Sequence, residues 1–351
     1  MEYKPLTIKG KTAKRPVVQG GMGVGISLSS LAGNVAKHGG VGTITGVHTG
    51  YKEPDFRENP LQANLRGIRK EMEKAREISP DGIIGYNFMS VMNHYEECVR
   101  EAIAAGADFI VSGAGLPLNL PKFAAGSDAA IIPIVSSAVA LKLIVRNWKR
   151  QGRLPDAVVV EGPLAGGHLG FKYKDVVNGK YPSLEESLTE VLALVEELEA
   201  EHGVTIPVIA GGGVRNHGDV ERLMQMGAGA VQVGTKFIAT EECDASLAYK
   251  QAFLNSRKED IRIIESPVGL AARAIWTPFL QKAKEMGRIP VEHCYGCMGH
   301  CKPAETKYCI SRSLIDSVEG REGVVFCGAY AHELQEITTV EKVMKELCGE
   351  I

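Results

Sequence analysis

The chain has 351 residues, of which 44% are hydrophobic and 23% are charged, a composition typical of a globular enzyme. Lys and Arg number 40 against 42 Asp and Glu, which argues against a nucleic-acid partner. The first residues, MEYKPLTIKGKTAKR, lack the apolar core of a signal peptide, and polar residues interrupt the most apolar region, 129–145. The cytosol is therefore the expected location, without membrane attachment.

Short β-rich runs alternate with helical stretches along the chain. Eight strands are predicted, at 15–21, 41–46, 82–89, 108–115, 131–137, 157–162, 206–212 and 230–237. Nearly all are continuously apolar, as expected of parallel strands covered on both faces. Eight βα units predict an α/β fold of the TIM (β/α)8 barrel type. A Rossmann fold competes, but Gly21, Gly23 and Gly25 have the wrong spacing and no acidic residue follows the second strand.

The clearest predicted helix lies between the sixth and seventh strands. Ser183 and Glu186 form a capping-box pattern, and Gly203 marks the end of the helix. One apolar stripe at helical spacing joins Leu184, Leu188, Val191, Val195 and Leu198. The sequence therefore predicts a helix that packs against the sheet along this stripe.

Two glycine-rich turns follow the seventh and eighth strands. The first, AGGGV at 210–214, precedes a helix predicted to begin at about Asn216, and the second is VGT at 233–235. Bare backbone amides beside a helix N-terminus suit an anion, and TIM barrels commonly bind phosphate at these two turns. We therefore expect a phosphate group to be held by Gly212, Gly213, Gly234 and Thr235.

The remaining strand ends carry residues suited to a flat cofactor and to proton transfer. Glycines after several strands let a ring lie close to the backbone, and Asn87 offers an acceptor and donors to a pyrimidine-like edge. His168, in AGGHLG after the sixth strand, is suited to proton transfer. His168 is the predicted catalytic residue.

Six segments in order resemble the nitronate monooxygenase family, which includes flavin-dependent enoyl-ACP reductases. They are PVVQGGMGVG, GYNFM, SGAGLP, EGPLAGGHLG, IPVIAGGG and GAVQVGTKF, and the likeness runs from about residue 12 to residue 275. The resemblance implies non-covalent FMN, with the active-site histidine at His168. It also implies the flavin contacts Gly21, Met22, Gly23, Asn87, Glu161, Ala165, Gly170 and Gln232.

The resemblance leaves the reaction open between two redox chemistries on a small-molecule substrate. The enzyme is expected to oxidise nitronates or to pass electrons from NAD(P)H through FMN, with an enoyl-ACP or enoyl-CoA type reductase as the alternative. A barrel that binds a phosphorylated metabolite without redox chemistry is a further alternative. IMP dehydrogenase shares the phosphate half, but the loop after the sixth strand lacks its cysteine nucleophile. A homo-oligomer is compatible with these residues.

The region after residue 275 forms a predicted C-terminal extension, 276–351, beside the barrel domain, 1–275. It contains Cys294, Cys297, Cys301 and Cys309, spaced C-x2-C-x3-C-x7-C. This spacing suits a [4Fe–4S] cluster better than zinc, and its first part resembles the cluster motif of dienoyl-CoA reductases. A metal-free structural segment is the other interpretation. Helices are predicted at 311–320 and 338–348.

Overall fold

The computed structural model describes residues 4–351. Its strands are β1 (Leu6–Ile8), β2 (Lys11–Ala13), β3 (Val17–Gln19), β4 (Val41–Thr45), β5 (Ile83–Met89), β6 (Phe109–Gly113), β7 (Ala130–Val135), β8 (Val158–Glu161), β9 (Gly167–His168), β10 (Val208–Gly211), β11 (Ala230–Val233), β12 (Ile261–Glu265), β13 (Ala271–Ile275) and β14 (Val325–Phe326). Its helices are α1 (Ser29–Lys37), α2 (Pro60–Ile78), α3 (Tyr95–Ala104), α4 (Leu120–Phe123), α5 (Ala138–Lys149), α6 (Tyr173–Val177), α7 (Leu184–His202), α8 (His217–Gln225), α9 (Thr235–Ile238), α10 (Leu247–Leu254), α11 (Pro278–Met286), α12 (Ile310–Val318) and α13 (Val340–Leu347).

Eight parallel strands close into a barrel in the order β3, β4, β5, β6, β7, β8, β10 and β11, with β11 pairing back onto β3. Each of these strands overlaps one of the eight predicted strands, so the predicted TIM barrel is confirmed. Alternate side chains point to opposite faces: Val159 and Ile209 pack inside the barrel, while Val158 and Val160 pack outward against the helices. The β1–β2 hairpin adds its apolar side chains to the inner cluster.

Local sequence signals fix the helices that position the strand ends. The Ser183 side chain accepts a hydrogen bond from the Glu186 amide, and the Glu186 carboxylate accepts one from the Ser183 amide. Gly203 ends α7 with a φ of 64°. The Asn216 side chain caps α8 by accepting a hydrogen bond from the Asp219 amide. The predicted stripe of α7 is buried, so this helix is confirmed from start to end.

A small antiparallel sheet covers one side of the barrel mouth. Its central strand β13 pairs with β12 on one edge and with both β14 and β9 on the other. The predicted C-terminal helices are confirmed as α12 and α13, and α13 packs on α1 and α8. The extension thus shares a sheet with residues of the barrel loops, and a domain boundary at 275 stays a prediction. No helix within residues 4–351 is long and apolar enough to cross a membrane.

Candidate active site

A cavity of about 270 Å³ opens at the carboxyl ends of the barrel strands. Its lining comes from the turns after β3, β5, β8, β10 and β11, and from residues 326–330 of the C-terminal extension. TIM-barrel enzymes place their active sites at this end of the barrel. The cavity is therefore the candidate site for both cofactor and substrate.

Almost all of the residues predicted for the site line this one cavity. They are Gly21, Met22, Gly23, Asn87, Glu161, Ala165, His168, Gly212, Gly213, Gln232, Gly234 and Thr235. Gly170 does not line it; a Cβ at this position would instead meet the Ser136 hydroxyl. The glycine at 170 thus makes room for a neighbouring side chain, and its contact with flavin stays a prediction.

The turns after β10 and β11 form one wall of the cavity, where glycines leave the backbone uncovered by side chains. Gly212 and Gly213 have φ angles of 98° and 106°, which side chains rarely allow. A Cβ at Gly212 would lie 2.9 Å from the Gly162 carbonyl oxygen. The Gly328 amide donates a hydrogen bond of 3.0 Å to Thr235 Oγ1, which brings the C-terminal extension to the same wall. The wall has the chemistry of an anion site built from backbone groups.

On the other side of the cavity, Gly21 packs directly on Asn87. The Asn87 Nδ2 donates a long hydrogen bond of 3.5 Å to the Gly21 carbonyl oxygen. A Cβ at Gly21 would lie 3.0 Å from Asn87 Cγ and Nδ2 and nearer still to Asn87 Cβ. Glycine is therefore required here for the turn after β3 to approach β5, which leaves a flat surface beside the amide.

His168 reaches the cavity because β9 pairs with β13, with Ala272 opposite His168. Its Nε2 lies 2.8 Å from the Ser266 hydroxyl, and its ring meets Phe326 edge to face at 4.9 Å between centroids. Burial lowers the pKa of His168 to about 4. The imidazole is therefore neutral at neutral pH, and Ser266 fixes which way the ring faces.

Glu161 ends β8 and faces the same cavity. Burial raises the pKa of its carboxyl to about 7, well above the ordinary value of 4.5. No lysine or arginine from the described range, 4–351, lines the cavity to compensate a carboxylate there. The two ionisable groups that the sequence predicted for the site are thus both shifted toward their neutral forms.

The sequence and fold of this chain match those of known proteins. The family model for nitronate monooxygenase matches residues 4–350. The chain belongs to the nitronate monooxygenase family. It is accordingly an enzyme, an FMN-dependent oxidoreductase, and the match extends beyond residue 275 through the C-terminal extension.

Individual relatives and solved structures are similar to this chain over nearly its whole length. A probable nitronate monooxygenase from Bacillus subtilis is 23% identical over 96% of each chain. FabK from Thermotoga maritima superposes with a TM-score of 0.72 at 24% identity, covering 96% of this chain and 93% of that one. A nitroalkane oxidase from Streptomyces ansochromogenes gives a TM-score of 0.68 at 19% identity over 96% of each chain. The structural likeness supports the fold.

Three residues of this nitronate monooxygenase family member support the site without having been predicted. Ser266 holds His168, and Gly328 holds Thr235. The buried Arg273 guanidinium donates a hydrogen bond to the carbonyl of Ala165, in the loop that carries the histidine. Ser266 and Gly328 lie 98 and 93 residues from their partners, so no local pattern linked them.

The cysteine segment of this family member docks on two loops at the barrel mouth. The Asn93 amide donates a hydrogen bond of 3.0 Å to the Cys297 carbonyl oxygen, and its side chain donates one of 2.7 Å to the Gly296 carbonyl oxygen. Tyr295 stacks on Phe56 in the loop after β4, with centroids 5.3 Å apart. Hydrogen bonds to backbone carbonyls and aromatic stacking thus hold the segment against these two loops.

The four thiols are not arranged as a metal centre. Across residues 4–351, no group of three or more His, Cys, Asp or Glu side chains is placed to hold a metal ion. Cys309 instead caps α12, its sulfur accepting a hydrogen bond from the Arg312 amide, and Cys294 is exposed. Burial raises the pKa of the Cys297, Cys301 and Cys309 thiols. The metal centre predicted here is not shown.

Proposed function

We propose that the enzyme binds FMN in the cavity at the barrel mouth and oxidises nitronates with molecular oxygen. The observation that carries the proposal is the meeting of two glycine turns, the Thr235 hydroxyl and the Gly328 amide in one cavity that also holds a neutral histidine. Phosphate would lie at Gly212, Gly213, Gly234 and Thr235. The flavin ring would lie toward Gly21 and Asn87.

The residues present fit such a cofactor. A phosphate needs hydrogen-bond donors, and backbone amides at turns free of side chains supply them without a cationic group. A flavin ring needs a flat approach to the backbone, which Gly21 and Gly23 leave open beside Asn87. The cavity therefore offers a donor-rich end and a flat end.

Bound FMN would supply a two-electron acceptor, and the chain would supply the proton chemistry. His168 is neutral, so it can accept a proton from a substrate carbon or donate a hydrogen bond to an anionic nitro group. Ser266 holds the ring through Nε2, which leaves Nδ1 as the free nitrogen. Phe326 packs on the ring and helps to exclude water from it.

The first experiment measures the cofactor and its use. Purified protein should be yellow and should release FMN, not FAD, on denaturation. Gly213→Leu should give colourless protein, because its side chain would fill the phosphate end. Oxygen consumption with a nitronate then tests the reaction. A colourless wild-type protein that FMN cannot reconstitute would instead favour a phosphate-metabolite-binding barrel without redox chemistry.

An enoyl reductase using NAD(P)H is the second candidate, and one observation favours it. No Lys or Arg of the described chain lines the cavity. An anionic nitronate would therefore bind there without a cationic side chain beside it, whereas a neutral enoyl thioester needs none. NAD(P)H oxidation dependent on an enoyl thioester, measured without oxygen, separates the two reactions. Activity with only one substrate class decides between them.

We also propose, as a separate point, that the cysteine segment binds a [4Fe–4S] cluster in the intact enzyme. Its support is the C-x2-C-x3-C-x7-C spacing of the four thiols, and in the structure of residues 4–351 these thiols would have to move to reach a common centre. Leu314 of α12 lines the cavity. Protein kept free of oxygen should contain iron and acid-labile sulfide, and Cys297→Ser should lose both. Zinc alone, or no metal, would make the segment structural.

A further inference from the structure

Glu161 has an unusual position among the polar residues of the cavity. It lies at the end of β8, opposite Gly211 of β10, and its side chain lines the cavity. No residue in the range 4–351 forms a hydrogen bond or an ion pair with its carboxyl, and burial is the sole cause of its altered pKa. A carboxyl group in such a place lacks the partner that buried polar groups normally have.

Within residues 4–351, no charged group contributes to the pKa of Glu161, and this includes the buried Arg273 guanidinium that is bonded to the Ala165 carbonyl. The flanking strands β7 and β10 carry no ionisable side chain. Helix α7, which packs on β8, carries several acidic side chains, none of which alters the pKa of Glu161. The other ionisable residues that line the cavity are His168, Cys327 and Tyr330, and none of them is a cation at neutral pH.

A cofactor that fills the cavity would keep water away from Glu161. An ionised carboxylate without a cation or donors is costly in a closed cavity, whereas a protonated carboxyl can donate a hydrogen bond. A flavin ring carries carbonyl oxygens and ring nitrogens that accept such a bond. The proton on Glu161 then becomes part of the binding reaction.

We propose that Glu161 carries its proton when FMN is bound and donates a hydrogen bond to the flavin, so that FMN affinity falls as this carboxyl ionises. The inference rests on the proposed function, because it requires FMN in this cavity. The fraction of enzyme that holds FMN would then depend on pH through the ionisation of Glu161.

The test is an FMN titration of apoprotein, followed by flavin fluorescence, between pH 5.5 and 9. The dissociation constant of the wild-type protein should be flat at the acid end and rise about tenfold per pH unit once the carboxyl ionises. Glu161→Gln is isosteric and keeps a donor but cannot ionise. Its dissociation constant should match the wild-type value at the acid end and rise at least tenfold less by pH 9.

Glu190→Gln is the matched control, because Glu190 is an exposed carboxylate on α7, outside the cavity. It should retain the full wild-type pH dependence. Equal pH dependence in wild type and Glu161→Gln would overturn the inference while leaving FMN binding intact. So would a folded Glu161→Gln protein, verified by circular dichroism, that binds FMN poorly at every pH. Wild-type protein that binds no FMN at any pH would overturn the proposed function itself.

Discussion

The contact between Gly21 and Asn87 gives a sharp test of where the flavin ring lies. In Gly21→Ala, the new methyl carbon would be 3.0 Å from Asn87 Cγ and Nδ2 and closer still to Asn87 Cβ. Carbon atoms in contact are about 3.5–4.0 Å apart. Because Asn87 Cβ is fixed to the backbone of β5, no side-chain rotation relieves this overlap. The turn after β3 must therefore move away from β5.

Overpacking of this kind costs about 1–3 kcal/mol. If the turn moves at the expense of the flavin, each 1.4 kcal/mol weakens binding about tenfold, so FMN affinity should fall roughly 5- to 150-fold. The assay is fluorescence titration of apoprotein with FMN, with circular dichroism to verify folding.

Two further variants define the result. A Cβ at Gly20 meets the flexible end of Gln232 at 3.3 Å, and neither Gly20 nor Gly21 has a positive φ. Gly20→Ala should therefore weaken FMN binding less than about threefold. Adding Asn87→Gly to Gly21→Ala removes the overlapping Cβ and should recover part of the loss. A Gly21→Ala protein that binds FMN like the wild type would refute the placement of the ring at this turn.

Three other outcomes are expected. His168→Ala should keep FMN but lower turnover about 10²-fold if the imidazole transfers a proton, and steady-state kinetics on the accepted substrate check this. Ser183→Ala should cost about 1 kcal/mol of unfolding free energy by removing the cap of α7, with Glu190→Gln as a neutral comparison in urea denaturation. The pKa of Glu161 is about 7 in the folded chain and 4.5 ordinarily. Its contribution to the free energy of unfolding is therefore fully present below pH 4.5 and is lost as the pH rises through 7. Glu161→Gln should therefore gain stability over wild-type apoprotein at pH 8, by at most about 3 kcal/mol, and should show little gain at pH 4.5. If urea denaturation gives the same stability difference between Glu161→Gln and wild type at both pH values, the raised pKa of Glu161 is contradicted.

The barrel could be predicted from the sequence because its signals are local. Strands buried on both faces leave continuous apolar runs in the sequence. Ser183 and Gly203 mark the first and last turns of α7. The meeting of the two glycine turns in one cavity also followed from the sequence, since turns after the last two strands have a fixed place in this fold, whereas their binding of a phosphate stays a prediction. Each of these inferences needed only neighbouring residues and the topology of the barrel.

What the sequence did not predict depends on distant partners. The small sheet that carries His168 is made of short strands from three parts of the chain, and β9 has only two residues. The pairing of His168 with Ser266 follows from that sheet and not from any motif. The cysteine spacing indicated a metal centre, but the structure gives Cys309 a helix-capping hydrogen bond. Spacing alone does not show whether sulfur atoms converge.

The pairing of β13 with both β9 and β14 sets an order of events during synthesis. All eight barrel strands have left the ribosome once residue 233 has emerged, so the barrel can close at that stage. The partner strand of His168 follows some forty residues later, and the Gly328 amide that meets Thr235 almost a hundred residues later. A nascent chain can thus hold a folded scaffold that has no complete place for flavin. If FMN binds in the proposed cavity, a chain that stops before Gly328 should therefore bind it more weakly than the full chain does.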